Sequence, residues 1–371
     1  MKILYSCLSK SWGGLEMFTL TSIQQLLKRN IKVELICSAD SRIHIEANNF
    51  GIILHPVKAS GYFHPLTTIR LALLIKQNNY SLVHTQASKD LWQIVPALEL
   101  ANRKIPLFLT KQVGSFIIKK DFLHRHLYQR VKKIFAISTA IKKNVQDTTP
   151  VKPESVIVIS NGIDINRFNP EKVDASKVRN EFNIGEKEIV IGMLARFTPG
   201  KGHEEFLLAC KELNREYSNL RFLIVGEASR GESEYAYKIK QLAGEFGLNN
   251  VIFTGYRSDT PEVFSAMDIF AFPSHSEAFG IALVEAMAMK KPSVCSNAEG
   301  VLDIAVDGVT SYLFENKNAE DLKTKLKLLI DSAETRIRFG ENARKRVVEK
   351  FDIDLITGRV MKIYEQETEN I

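Results

Sequence analysis

Residues Ile269-Phe270-Ala271-Phe272-Pro273-Ser274-His275-Ser276-Glu277-Ala278-Phe279-Gly280-Ile281-Ala282-Leu283-Val284-Glu285-Ala286-Met287-Ala288 read as one strand, one loop and one helix. The apolar run Ile269–Phe272, closed by Pro and Ser, suits a strand covered on both faces. Glu277 then falls in the loop at the strand's carboxyl end, and a helix should begin near Phe279-Gly280. A glycine at that point lets a ligand approach the backbone closely. The first amides of a helix have no internal partners and form an anion site, for which a diphosphate is the obvious occupant. The helix is apolar except for Glu285, so it should be buried on most sides. A carboxylate there needs hydrogen-bond donors. Ribose hydroxyls and a structural donor on a neighbouring element both satisfy that need.

The same strand–helix alternation extends in both directions. Strands are expected at Ile189–Leu194, Arg221–Val225, Val251–Thr254 and Pro292–Cys295, with helices at Gly202–Tyr217, Glu232–Phe246 and Ala319–Ser332. An earlier series runs through Ile3–Ser6, Val33–Cys37, Ile52–Leu54, Leu82–His84, Leu107–Thr110 and Ile134–Ile137, with helices at Leu15–Lys28 and Leu66–Gln77, and the pattern restarts at the strand Val156–Ser160. Such alternation predicts α/β architecture with parallel sheets, here two Rossmann-like doubly wound domains. The boundary is placed in Asn161–Pro170, where Asn, Gly and Pro cluster, giving domains 1–163 and 164–352. That stretch is also the candidate hinge. Ligands of doubly wound sheets bind beyond the carboxyl ends of the strands, so the residues after each strand hold the candidates.

Two further segments follow strands. Arg196-Phe197-Thr198-Pro199-Gly200-Lys201-Gly202 sets two cations around a Pro-Gly turn before a helix. They suit a leaving diphosphate, whose developing charge fixed cations stabilise; taken alone, the segment reads rather as a solvated surface loop. Trp12-Gly13-Gly14-Leu15-Glu16 follows the first strand, and its glycines suit backbone contact with a phosphate or sugar. A plain tight turn fits as well, and the absence of GxGxxG argues against dinucleotide binding.

Bulk composition bounds the partners. The 371 residues are 45% hydrophobic and 25% charged, as in ordinary globular proteins. Cys7, Cys37, Cys210 and Cys295 form no CxxC pair and no zinc pattern, and are expected as buried free thiols in a reducing compartment. The amino terminus reads as a first strand, and no stretch reaches the ~20 apolar residues of a membrane span. Residues 1–165 carry 22 Lys and Arg against 10 Asp and Glu, while the rest carry 28 against 33. The basic half should seek an anion. No nucleic-acid motif accompanies the charge, and an anionic membrane or a lipid-linked acceptor fits it. The run Lys119–Lys133 mixes cations with apolar residues, as surface-lying amphipathic segments do.

Together the segments resemble glycosyltransferase family 4, the retaining GT-B enzymes, over nearly the whole chain. Glu277 and Glu285 match its Glu-x7-Glu motif, within Pro-Ser-x-x-Glu-x-Phe-Gly-x-x-x-x-Glu-Ala-Met-Ala. Arg196 and Lys201-Gly202 are similar to its Gly-Arg-x-x-x-x-Lys-Gly element, with Ala195 in place of the usual glycine. Gly13-Gly14-x-Glu16, Val225-Gly226-Glu227 and Val251-x-Phe253-x-Gly255-Tyr256 match further elements. The resemblance implies two domains facing across a cleft, with a carboxy-terminal helix of about 353–371 crossing back to the first. It assigns Glu285 to the ribose and Glu277 to the donor sugar. Arg196, Lys201 and the amides of Phe279, Gly280 and Ile281 fall to the diphosphate, Tyr256 and Arg257 to the border of the base, and Gly14 to the phosphate or sugar.

Two departures stand out. Thr110-Lys111-Gln112 replaces the family's frequent Thr-x-His, and Gln112 can hydrogen-bond a sugar but cannot act as acid or base. Either Gln112 stands in as a sugar contact, or the histidine's role belongs to His84, whose surroundings resemble a His-x-x-x-Ser-x-Asp-x-Trp element; Glu16 is a third acceptor or sugar candidate. Gly300-Val301-Leu302-Asp303 departs from Gly-x-Pro-Glu. The reading is a retaining, metal-independent transferase without cofactor, cytoplasmic and at most peripheral on a membrane. It would move a sugar from a nucleoside diphosphate sugar to a lipid-linked or envelope glycan. An epimerase and a non-catalytic sugar-nucleotide-binding protein are the rivals.

Overall fold

In the computed structural model, the described residues are 1–58, 62, 64–229 and 231–369. The last two residues of the expected terminal helix, 370 and 371, lie outside them. The chain divides into two units, residues 1–161 with 353–371, and residues 162–352.

Unit 1 has seven strands: β1 Lys2–Cys7, β2 Lys32–Ser38, β3 Ile53–Val57, β4 Leu82–Thr85, β5 Leu107–Lys111, β6 Lys133–Ala136 and β7 Val156–Val158. All pair in parallel, in the order β3-β2-β1-β4-β5-β6-β7. The strands are buried apolar runs because helices cover both faces of such a sheet. The strand order reverses between β1 and β4, which opens a crevice at their carboxyl ends. There Asp90 accepts from Ser6 Oγ (2.8 Å) and from the Leu8 amide (3.2 Å), tying the loop after β1 to the turn after β4.

The terminal helix Ile353–Glu369 packs on unit 1. Ile356 and Tyr364 enter the core beside Tyr5, Phe108 and Phe135. Asp354 pairs with Arg29 (2.8 Å) and Glu367 with Lys132 (3.1 Å).

Unit 2 has six strands: β8 Ile189–Leu194, β9 Leu220–Val225, β10 Val251–Gly255, β11 Ile269–Phe272, β12 Ser293–Ser296 and β13 Ser311–Phe314. Their order is β10-β9-β8-β11-β12-β13, again parallel, with the reversal between β8 and β11. Two parallel sheets flanked by helices make two Rossmann-like domains, the architecture of GT-B proteins. The four cysteines are buried and free. Among the described residues, no helix is long and apolar enough to cross a membrane.

The basic run Lys119–Lys133 is not one helix. Asp121 caps a short helix, Phe122–Gln129, by accepting from the His124 amide (3.1 Å). Lys119 and Lys120 precede it in a loop, and Lys133 opens β6. Arg130 is spent on the carbonyls of Arg103 (3.0 Å) and Ile105 (2.9 Å), and Lys132 on Glu367. Of the expected basic face, only the amino-terminal part remains open.

Candidate functional site

The reversal in unit 2 places the loop after β8 beside the loop after β11, and backbone contacts join them. The His275 amide donates to the Gly200 carbonyl (2.9 Å). Gly202 sits at φ +78°, and a Cβ there would come within 2.2 Å of the Pro273 carbonyl oxygen. Only glycine permits both that conformation and that approach. The result is a 2.5 Å ion pair between Lys201 Nζ and Glu277 Oε1, both about four-fifths shielded from solvent. A lysine has three donors, so the pair leaves two for an incoming ligand.

Gly280, at φ +108°, ends the loop and caps the helix Ile281–Ala288. Phe279 is buried against Phe351, with ring centroids 5.8 Å apart. The unpaired first-turn amides therefore open beside the Lys201–Glu277 pair's own loop, which concentrates donors and positive potential on one edge of the sheet. Gly300 underlies this loop and donates its amide to the Glu277 carbonyl (3.0 Å).

Arg196 is exposed, with Nη1 3.3 Å from Ser229 Oγ. Ser229 belongs to the segment after β9, which the isolated bridge Phe197↔Ala228 holds against the segment after β8. His203 is fully buried, stacked on Phe197 at 4.6 Å, and neither ring nitrogen has a partner. Burial, and then the charge of Lys201, push its pKa down to about 4, so it stays neutral near pH 7. Glu285 lies in the helix Ile281–Ala288 and is half-buried. Burial raises its pKa to about 7 against the opposing pull of Arg167, and no hydrogen bond to its carboxylate is found among the described residues. A carboxylate in that state is a vacant acceptor for hydroxyl donors.

Tyr256 is 68% exposed after β10. Arg257 behaves differently from its neighbour: its guanidinium grips Glu181 (2.5 and 2.9 Å) and Asp259 (2.8 and 2.6 Å). It ties the segment to two neighbouring helices instead of presenting a free cation.

In unit 1, Gly14 opens the helix Gly14–Lys28 after β1, with open space where a Cβ would stand. Glu16 is buried beside Gly13. Two candidates prove to be engaged with the fold. Gln112 and Asn161 exchange amide hydrogen bonds (3.3 and 3.1 Å), both buried. His84 uses Nε2 on Thr110 Oγ1 (2.8 Å) and Nδ1 on the Tyr364 hydroxyl, within a ring of aromatics. Burial lowers its pKa to about 3, which leaves a neutral residue joining the terminal helix to the sheet. No cluster of three or more metal-ligating side chains occurs among the described residues.

Two family models match the chain, one described as Glycosyl transferases group 1 over residues 174–346 and one as Glycosyltransferase Family 4 over residues 12–167. The chain belongs to the family-4-like, group 1 glycosyltransferases. This glycosyltransferase is similar to the capsular polysaccharide biosynthesis glycosyltransferase CapM of Staphylococcus aureus, at 24% identity over 92% of each chain. It is 27% identical, over 81% of each chain, to the N,N'-diacetylbacillosaminyl-diphospho-undecaprenol alpha-1,3-N-acetylgalactosaminyltransferase of Campylobacter jejuni. HepE of Anabaena, solved in complex with UDP, shares its fold with a TM-score of 0.86 at 23% identity, covering 99% of this chain and 100% of HepE.

Arg167 and Ser229 escaped the sequence reading of this glycosyltransferase, and Gly300 entered it only as part of a departure from the family pattern. Arg167 brings charge to Glu285, Ser229 holds Arg196, and Gly300 supports the Glu277 loop. None sits in a motif with its partner. Only Gly300, at the place where the family pattern departs, carried a local signal.

Proposed function

We propose that this glycosyltransferase moves a sugar from a nucleoside diphosphate sugar to an acceptor hydroxyl with retained anomeric configuration. The observation that carries the reading is the Lys201–Glu277 pair, knitted to the amide-rich start of Ile281–Ala288 at the sheet reversal. Lys201, Arg196 and the amides of Phe279, Gly280 and Ile281 take the diphosphate. Glu277 orients the donor sugar, Glu285 receives the ribose hydroxyls, and the backbone at Tyr256 and Arg257 borders the base. The anomeric carbon–oxygen bond breaks with its electron pair going to the β-phosphate. The acceptor oxygen attacks from the same face, and its proton passes to that phosphate oxygen. Fixed cations stabilise the charge that develops on the leaving group, which removes the need for a divalent ion. Complexes of HepE with UDP support the donor class.

Unit 1, with its excess of positive charge, takes the acceptor. A lipid-linked glycan on an anionic membrane face fits that charge, and the diphospho-undecaprenol substrate named for the Campylobacter relative supports it.

The test screens uridine, guanosine and adenosine diphosphate sugars by thermal shift, followed by release of nucleoside diphosphate. A donor at 100 times its Kd should stabilise the chain by about 2.7 kcal/mol. Release should fall by about 10²–10³-fold in Lys201→Ala and in Arg196→Ala, with the fold kept. A shift without release, acceptors included, would point to a binding protein. Turnover retained in the folded double variant would overturn the assignment.

A further inference from the structure

Lys111 ends β5 and is only 8% exposed. A buried ammonium is costly unless paired, yet among the described residues its hydrogen bond runs only to Ser88 Oγ (3.0 Å), which leaves two N–H groups unspent. No carboxylate pairs with it among the described residues. Its charged neighbour is another cation, the half-buried Lys119; burial first and Lys119 second lower its pKa to about 8. The Tyr128 hydroxyl is likewise buried; Ser88 is a polar neighbour, but no hydrogen bond of ordinary geometry satisfies the phenol. Two cations that repel each other, a hydroxyl shared with Lys111 and an orphaned phenol therefore converge at the carboxyl end of the sheet. The fold pays for this arrangement without using it.

The adjoining loop is built as well. Asn144 clamps it on both sides, accepting from the Ser115 amide (2.7 Å) and donating to the Ser115 carbonyl (3.0 Å), and the Lys119 amide is held by Thr148 (2.7 Å). A loop so fixed nevertheless exposes Phe116, Ile117, Ile118, Phe122 and Leu123, at 55% or more each. Lys119 and Lys120 stand between the two apolar groups. Contiguous exposed apolar residues flanked by cations match the interfacial region of an anionic bilayer.

We propose that Lys111, Lys119, Ser88 and Tyr128 form a binding site for a phosphoryl group borne on a lipid, with the Phe116–Leu123 loop seated in the lipid surface around it. This rests on the proposed acceptor class and names its anchoring group. The phosphoryl oxygens accept from Lys111, Lys119 and the Tyr128 hydroxyl, giving each unspent donor a partner. The sugar end of the acceptor is then the part left free to react.

The test uses the full chain carrying Lys201→Ala, so that the diphosphate site of unit 2 is silent. Inorganic diphosphate is titrated by thermal shift, and phosphatidylcholine vesicles with and without phosphatidic acid are titrated by sedimentation. Lys111→Met and Tyr128→Phe remove an uncompensated charge and an orphaned hydroxyl, so neither should lower the unliganded melting temperature. Each should cut diphosphate affinity, at least tenfold for Lys111→Met. Phe116→Ser with Ile117→Ser should abolish vesicle binding and keep the diphosphate shift. Equal diphosphate affinity of the Lys201→Ala chain with and without Lys111→Met would overturn the site. Diphosphate binding without any preference for phosphatidic acid vesicles would overturn the lipid source. Failure of donor nucleotides to shift the unmodified chain would strike the transferase reading instead, and is read separately.

Discussion

Gly300→Ala tests whether the position of the Glu277 loop, rather than its composition, controls turnover. Gly300 has φ −65° and ψ −15°, a helical conformation that alanine adopts without strain, so any effect is steric. The added Cβ would lie 2.5 Å from the Ala278 carbonyl oxygen, 2.7 Å from its carbon and 2.8 Å from the Glu277 carbonyl oxygen. An ordinary C···O contact is about 3.3–3.6 Å, so the loop must retreat by roughly 0.8–1.1 Å. The Gly300 amide bond to the Glu277 carbonyl stretches at the same time. A displacement of that size at reacting groups costs on the order of 10²-fold in rate. Overpacking itself costs about 1–3 kcal/mol, or roughly 2–4 °C in melting temperature per kcal/mol for a domain of this size. The assay is kcat for donor turnover well below the transition, beside thermal unfolding. Gly358→Ala, which meets nothing within 4 Å, is the control. A Gly300→Ala enzyme within threefold of wild type in kcat, with a lowered melting temperature, would refute the reasoning, because the loop would then have moved without consequence.

Three other outcomes are expected. Glu285 has a folded pKa raised to about 7, so its ionisation opposes folding as pH rises from its ordinary value towards 7; Glu285→Gln should therefore melt higher than wild type at pH 8 and not at pH 4. Ribose hydroxyls favour the carboxylate, so wild-type donor affinity should rise with pH and level off above 7, whereas the Gln variant should bind weakly at every pH; isothermal titration decides both. In the Glu34 network, burial works against the charge, but hydrogen bonds from Lys2, Tyr80 and His55 prevail and bring the pKa to about 2. That stability is present above the ordinary carboxylate pKa and lost as pH falls from there through 2, so Glu34→Gln should flatten the acid limb of a stability–pH curve. Gly244 lies inside the helix Ser233–Glu245 with open space at its Cβ, and Gly244→Ala should stabilise by about 0.5–1 kcal/mol in denaturant unfolding.

The strand–helix alternation was legible because each element has its own period. Ile189–Leu194 and Ile269–Phe272 are short apolar runs, and Leu15–Lys28 and Ala319–Ser332 carry helical spacing. The helix Leu91–Leu100 was hidden by Pro96, and Ala333–Lys350 by its polarity, since only Phe339, Gly340, Ala343 and Val347 are buried in it. The placement of Glu277 and Gly280 at the end of one strand was also local, requiring only one strand, one loop and one helix. The meeting of Lys201 with Glu277, 76 residues apart, depended on β8 lying next to β11. Gln112 on Asn161, His84 on Tyr364 and Arg257 on Glu181 are partnerships of the same kind, each engaging a candidate ligand residue with the fold. Periodicity and turn chemistry are properties of neighbouring residues, so one sequence determines them by itself. Which side chains face each other across a parallel sheet follows from strand order and helix packing, and these are decided only when distant segments bury their apolar faces together.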